Sequence, residues 1–233
     1  MKRITIENAW RGAERCKHCA IRNLVLFADL NQSDFDRIHF PIDDIEFEPG
    51  SRIYLQGDDM PFVYTIRSGL VKLVQQLSNG DYRIVRLLGQ GDLAGLESLN
   101  GAAAAHEAVT MDHVRVCRIP RSVIESLRHD TPRLHDQLIE RWQKALNSAD
   151  QWITGLSTGS ARVRVARLLL LLDESSEDDS FFLPTREDMG AMLGITTESA
   201  SKSTAEFRRN GWLRPLPNNR AWIDSQALHL QFD

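Results

Sequence analysis

Cysteine is scarce: three in 233 residues, too few and odd in number for the disulfide scaffold of a secreted domain. Long apolar runs are missing as well. None is longer than residues 168–172, which end at Asp173, far short of the roughly 20 residues of a membrane helix. The first residues, Met1-Lys2-Arg3-Ile4-Thr5-Ile6-Glu7, lack the apolar stretch of a signal peptide. These absences predict a cytoplasmic, reducing setting and no membrane partner. An excess of positive charge is missing too: 28 Lys and Arg face 32 Asp and Glu, a net charge of −4, which excludes a uniformly basic nucleic-acid coat. It leaves open a DNA reader whose cations are gathered on one face. Catalytic signatures are equally wanting, with no nucleophile elbow, Walker loop or HExxH helix. A cupin-like enzyme would need clustered histidines, and His39, His106 and His113 contain no HxH pair. No enzyme is expected.

What is present divides into four zones. Residues 1–28 form a polar arm with Cys16-Lys17-His18-Cys19. Residues 29–120 read as short strands cut by glycine turns at Gly50, Gly57, Gly69, Gly80, Gly91 and Gly95, the rhythm of a small antiparallel barrel or jelly roll. Strands are predicted at 62–67, 70–77, 83–88 and 114–119, with Asn79-Gly80 as a hairpin turn. Residues 121–156 carry Leu138, Trp142, Ala145, Ala149, Trp152 and Leu156 at spacings of 4, 3, 4, 3, 4, a heptad seam. One apolar stripe packed on the helix's own barrel would give a similar pattern, but a seam at a domain junction points to a dimer helix. Residues 157–233 open with a helix over 160–172 that interleaves Arg162, Arg164 and Arg167 with apolar residues, followed by an acidic loop.

The most informative stretch comes next. Thr185-Arg186-Glu187-Asp188 starts a helix with a hydroxyl and then a carboxylate three residues on, and that helix stops at Gly194. A second begins at Thr196-Thr197-Glu198 and ends at Asn210-Gly211. Gly190 sits where the two would touch, with Met189, Leu193, Ile195, Ala200 and Phe207 as apolar contacts. Two short helices joined by a glycine turn make a helix-turn-helix. Trp212-Leu213-Arg214, a turn over 215–219 and Arg220-Ala221-Trp222-Ile223 read as a two-stranded wing. Between Thr196 and Arg220 five cations (Lys202, Arg208, Arg209, Arg214, Arg220) outnumber two anions (Glu198, Glu206), a positive patch in an acidic chain. Thr197, Glu198, Ser201 and Lys202 share the N-terminal face of the second helix, the end that enters the major groove in this motif. Glu198 can accept from a cytosine amino group and Lys202 can donate to guanine O6 and N7. Thr197 or Ser201 can meet a thymine methyl or a phosphate. Arg208 and Arg209, with Thr185 and Thr196 at the helix starts, are the phosphate candidates.

Barrel, seam helix and winged helix-turn-helix, in that order, resemble the CRP/FNR family of bacterial transcription regulators. The matching pieces are Phe47-Glu48-Pro49-Gly50, Tyr54-Leu55-Gln56-Gly57-Asp58, Ile66-Arg67-Ser68-Gly69, Gly91-Asp92-Leu93-Ala94-Gly95 and Leu193-Gly194-Ile195-Thr196-Thr197-Glu198. The resemblance implies an α+β chain: a cyclic-nucleotide-binding-like β-barrel, a dimerisation helix and a C-terminal winged helix-turn-helix. It further implies a homodimer on a palindromic promoter site in double-stranded DNA, contacting RNA polymerase, with an effector or redox signal acting at the barrel or the arm. Glu198-Ser199-Ala200-Ser201-Lys202 resembles the E-x-x-S-R pattern of the FNR branch, a reader of TTGAT-type half-sites, with Lys202 in place of arginine. Lysine lacks the bidentate fork, so guanine discrimination is expected to be softer. Ser203 and Thr204 are more polar than the residues usual there.

For the effector, the cyclic-nucleotide branch places a Gly-Glu-Leu turn and an Arg-Ser pair around a cyclic phosphate. Here the turn is Gly95-Leu96-Glu97, and the Arg-Ser positions carry His106-Glu107, whose carboxylate would repel cyclic AMP. The FNR branch holds an iron–sulfur cluster on four cysteines. Cys16, Cys19 and Cys117 resemble three of them, while Val25 stands where the remaining one is expected. Several readings therefore stay open: a cluster completed by another ligand such as His18 or Asp29, a thiol switch through Cys16 and Cys19, Cys117 as a small buried hydrophobe, and an unidentified small molecule in the barrel or no effector at all. A barrel serving as a ligand-binding module, or as a protein-interaction dimer without DNA readout, is the rival reading of the whole chain.

Overall fold

The computed structural model describes residues 42–130, 132–176 and 179–230; the arm with Cys16 and Cys19, and His39, lie outside them. Eight strands come first: β1 (Asp43–Phe47), β2 (Arg52–Tyr54), β3 (Phe62–Ser68), β4 (Val71–Gln76), β5 (Tyr82–Leu88), β6 (Leu93–Ala94), β7 (Glu107–Thr110) and β8 (Val114–Pro120). A 3-10 helix, Leu96–Asn100, lies between β6 and β7. The helices α1 (Arg121–Asp130) and α2 (Pro132–Gln151) follow, then a π turn, Trp152–Leu156, and α3 (Ala161–Glu174). Last come β9 (Phe181–Phe182), α4 (Arg186–Leu193), α5 (Thr197–Arg209), β10 (Leu213–Leu216), β11 (Arg220–Ile223) and α6 (Ser225–His229). Among the described residues no helix is long and apolar enough to cross a membrane.

The eight strands form two four-stranded antiparallel sheets, ordered β1-β8-β3-β6 and β2-β7-β4-β5. This is the jelly roll expected from the sequence, built as two sheets and not as one closed ring. Closure needs continuous strand pairing around the ring, and β6 and β2, with two and three residues, are too short to carry it. The arrangement is the two-sheet jelly roll instead. Alternation along β3 and β8 gives the first sheet two apolar faces. Tyr64, Ile66, Val114 and Val116 line one, and Val63 and Ile119 line the other. That outer face is covered by Val123, Ile124 and Leu127 of α1 and Leu134 and Leu138 of α2. At the turn between β3 and β4, Gly69 adopts φ +86°, and a Cβ there would meet the His113 carbonyl oxygen at 2.3 Å. Only glycine fits.

Residues 121–156 are not one helix. Pro132 opens a second one, a position where its missing N–H costs nothing. Contacts divide the chain into two compact units, Met1–Gln75 with Leu87–Leu146 and Gln76–Arg86 with Asn147–Asp233.

Within the second unit α3, α4 and α5 build the helical core, and β9 adds a third strand to the wing in the order β10-β11-β9. Ser160 caps α3 by accepting from Val163 N, and Val165, Ala166, Leu168 and Leu169 are fully buried.

Candidate nucleic-acid interface

The local chemistry expected of the helix-turn-helix is in place. Thr185 caps α4, its Oγ1 accepting from Asp188 N at 3.0 Å and donating to Asp188 Oδ2 at 3.0 Å. Gly194 ends that helix in the left-handed region at φ 63°. Thr196 caps α5 by accepting from Ser199 N at 3.2 Å. Gly190 is buried under the turn, where a Cβ would stand 2.9 Å from the Ile195 carbonyl oxygen. Met189, Leu193, Ala200 and Phe207 are buried between the helices, and Ile195 is half-buried.

Ser203 and Thr204 are buried without loss. Their hydroxyls donate to the carbonyls of Ser199 at 2.9 Å and Ala200 at 2.8 Å, four residues back. The inner face of α5 thus keeps its packing despite two polar residues.

Thr197, Glu198, Ser201 and Lys202 are all exposed on the outer, N-terminal face of α5. Arg208 and Arg209 are exposed in its last turn. Glu206 is withdrawn from the surface charge: Arg162 Nε of α3 donates to its Oε1 at 2.8 Å. The same guanidinium lies 5.7 Å from the Phe207 ring centroid and 5.8 Å from that of Trp212. Glu198 is then the one acidic group on the α5 surface without a cationic partner among the described contacts, which leaves the net potential there positive. Two arginines have roles that the sequence did not assign. Arg186, in the first turn of α4, is half-buried, and burial together with the nearby Arg208 guanidinium pulls its pKa below the usual arginine value. Arg164 donates to the Leu193 carbonyl at 3.1 Å and steadies the end of α4. Charge counting along α5 alone could not reveal either.

In the wing, Arg214 pairs with Trp222 across β10 and β11, its guanidinium 5.4 Å from the indole centroid. Asn218 and Asn219 hold φ 59° and 56° at the tip, a conformation asparagine tolerates better than most residues.

The hairpin tip Gln76–Arg86 belongs to the same compact unit. Tyr82 Oη donates to Glu187 Oε1 at 3.3 Å, and burial, with the carboxylates of Asp188 and Glu187, pushes the Tyr82 pKa up to about 12.

Three of the six residues of the expected seam are buried within the chain itself. Leu138 is buried in the cluster on the first sheet, and Trp152 and Leu156 are buried within their own chain. The exposed residues are Ile139, Trp142 and Leu146 of α2, with half-buried Ala149 next in step and Ile153 exposed beyond it. Of the six predicted positions only Trp142, Ala145 and Ala149 stay open or half-open to solvent. The cause is twofold. Leu134 and Leu138 are the inner stripe of α2, and the π turn takes up an extra residue, so a seam drawn straight through it changes face.

At the cyclic-phosphate position, Gly95 precedes the 3-10 helix at φ 81°, and Leu96 is buried. Glu97 Oε1 accepts from Ala105 N at 3.2 Å and is thereby committed to the chain's own backbone. Glu107 is buried on β7, with Arg52 Nε 2.5 Å from its Oε1, and half-buried His106 precedes it. Two carboxylates and one largely exposed arginine do not suit a cyclic phosphate, which needs a fixed cation and free donors. The residues present do not fit that group. Cys117 lies on β8 at the edge of the outer apolar cluster, and among the described residues no three His, Cys, Asp or Glu side chains gather for a metal.

Comparison with known proteins agrees with this architecture. The cyclic nucleotide-binding domain family matches residues 44–130, and the Crp-like helix-turn-helix domain family matches residues 163–228. The chain is 27% identical over 205 residues to the fumarate and nitrate reduction regulatory protein of Vibrio cholerae, covering 85% of this chain and 82% of that one. It is 27% identical over 207 residues to the transcriptional activator protein FnrL of Cereibacter sphaeroides, covering 84% and 83%. Among solved structures, FixK2 from Bradyrhizobium japonicum superposes with a TM-score of 0.73 at 25% identity, covering 81% of this chain and 96% of that one. These relatives are regulators rather than enzymes, and the chain belongs to the CRP/FNR family of transcription regulators, with a DNA-binding helix-turn-helix at its C-terminal end.

Proposed function

We propose that the protein acts as a homodimer on an inverted repeat of TTGAT-like half-sites, inserting α5 into the major groove of each. The observation that carries this is the capped, rigidly backed α5, which presents Thr197, Glu198, Ser201 and Lys202 together on one exposed face. Glu198 and Lys202 supply the hydrogen bonds to base edges, and Thr197 and Ser201 flank them. Arg208 and Arg209 hold phosphates, joined by Arg186. The hydroxyls of Thr185 and Thr196 are engaged in their caps, so these positions offer a phosphate the free amides of two helix starts. The second copy docks on the stripe of Ile139, Trp142, Leu146 and Ala149, and promoter-bound dimers contact RNA polymerase. The signal acts through the β-sandwich or the N-terminal arm and is not a cyclic nucleotide held in the usual way.

The test is fluorescence anisotropy with labelled duplexes, one carrying the TTGAT inverted repeat and one scrambled, titrated at several salt concentrations. The expected result is tighter binding to the repeat by about 10³-fold or more, with affinity falling steeply as salt rises. Equal affinity for both duplexes would overturn the reading.

A further inference from the structure

One row of the first sheet sets three chemistry-bearing side chains side by side. Asp44 on β1 pairs with Cys117 on β8, and Cys117 pairs with Thr65 on β3. Directly paired residues of antiparallel strands project to the same face, with Cβ atoms roughly 4.5–5.5 Å apart. That face is the outer one. Val63 and Ile119, paired with each other two residues along, join the apolar cluster with Leu93, Ile124 and Leu127, and Cys117 packs at the cluster's edge. Cys117 as a residue is half-buried.

Both neighbours of that sulfur carry a polar atom with nothing to bond. Thr65 is completely buried, and its Oγ1 has no hydrogen-bond partner. Asp44 Oδ1 is buried and equally unanswered, although Oδ2 of the same carboxylate accepts from Arg67 and, at 3.0 Å, from Arg115. Buried polar groups left in this state are rare, because each forfeits its hydration. The arginines fix the carboxylate through one oxygen and leave the other unbonded beside its paired neighbour Cys117. They also oppose a cation, so the row does not suit a metal. It suits an oxygen added to the sulfur, which would need both a donor and an acceptor.

We propose that Cys117 is a site of oxidation by hydroperoxides to a sulfenic acid, with Thr65 and Asp44 holding the added oxygen. The sulfur's electron pair attacks one peroxide oxygen, the S–O bond forms and the O–O bond breaks. The thiol proton passes through Asp44 Oδ1 to the departing oxygen, which leaves as water or an alcohol. Sulfur loses two electrons and the peroxide gains them. The product S–OH donates to Asp44 Oδ1, and its oxygen accepts from the Thr65 hydroxyl, so both orphaned atoms acquire partners. This inference is independent of DNA reading.

The experiment uses the full chain with Cys16→Ser and Cys19→Ser, which leaves Cys117 as the sole thiol of the three. Hydrogen peroxide is added, sulfenic acid is trapped with dimedone, and the adduct is located by peptide mass spectrometry. The expected result is an adduct on Cys117 in the folded protein. Thr65→Val, which removes the hydroxyl and keeps the shape, should shorten the sulfenate's lifetime about tenfold, the effect of one lost buried hydrogen bond, with faster passage to the sulfinic acid. Thr65→Ser keeps the hydroxyl and should keep the lifetime, and circular dichroism checks that each variant is folded. No adduct in the folded chain while a urea-unfolded control labels, or equal lifetimes for parent and Thr65→Val, would overturn the proposal.

Discussion

Glu198 and Arg209 lie on the same helix, yet their substitution should have opposite signatures. In the proposed DNA complex Glu198→Ala removes an acceptor for a base edge, so discrimination at that base pair should fall by about 1–3 kcal/mol, while affinity for random DNA barely changes. Arg209→Ala removes one of the proposed phosphate contacts. It should weaken every sequence alike and reduce the salt slope by roughly one unit. Anisotropy titrations on single-base operator variants distinguish the two, and equal losses on cognate and random duplexes for both would contradict these roles. Tyr82 supplies a pH prediction. Its folded pKa of about 12 stands above the ordinary value of 10.0. The folded chain therefore retains the phenolic proton longer than the unfolded one, and the associated stability is present below pH 10 and lost between about pH 10 and 12. Tyrosinate absorbance during an alkaline titration checks this, with Tyr82→Phe removing the late component. Much of this scale was legible in the sequence. Thr185, Gly190, Gly194 and Thr196 announce caps and a close approach through local chemistry alone. The Arg162–Glu206 pair and the approach of Arg186 to Arg208 were not legible, because each joins residues of different helices.

Among the elements, α2 carries the surface on which a second copy is proposed to dock. Its two stripes differ in fate: Leu134 and Leu138 face the first sheet, whereas Ile139, Trp142 and Leu146 face solvent. Leu138→Ala should therefore cost the single chain about 2–5 kcal/mol, by the cavity it leaves in a packed cluster. Leu146→Asp should leave chain stability nearly unchanged and shift the population to monomers. Urea unfolding and sedimentation velocity separate these outcomes, and an unaltered association state for Leu146→Asp would refute the proposed docking stripe. The periodicity was readable and its register was not. Apolar residues occur on both stripes, and the π turn at Trp152–Leu156 has no signature in residue type, so counting in sevens ran from one face onto the other. The strands tell a similar story. Those at 62–68 and 114–120 are long and β-branched, hence visible, while β2 and β6, with three and two residues, depend on partners distant in sequence.

For the whole molecule, family and architecture could be read from the order of zones, because glycine turns, an apolar helix and a capped helix pair are each local. The sandwich could not be told from a closed barrel, since closure depends on pairing between distant strands that composition does not encode. The signal stays outside local chemistry for a related reason: Glu107 is recognisable as a wrong charge for a phosphate, but its burial beside Arg52 emerges only on folding.

The wet row of Ile139, Trp142 and Leu146 ties thermal resilience to abundance. If a twin covers those side chains, mass action makes the melting midpoint climb with protein concentration, and a serial dilution followed by calorimetry should display the drift, whereas the Leu146→Asp chain should melt at one temperature throughout. A cell that makes little of this regulator would then hold it mostly as separate, easily unravelled, protease-sensitive copies, so the switch would be governed by supply as well as by signal.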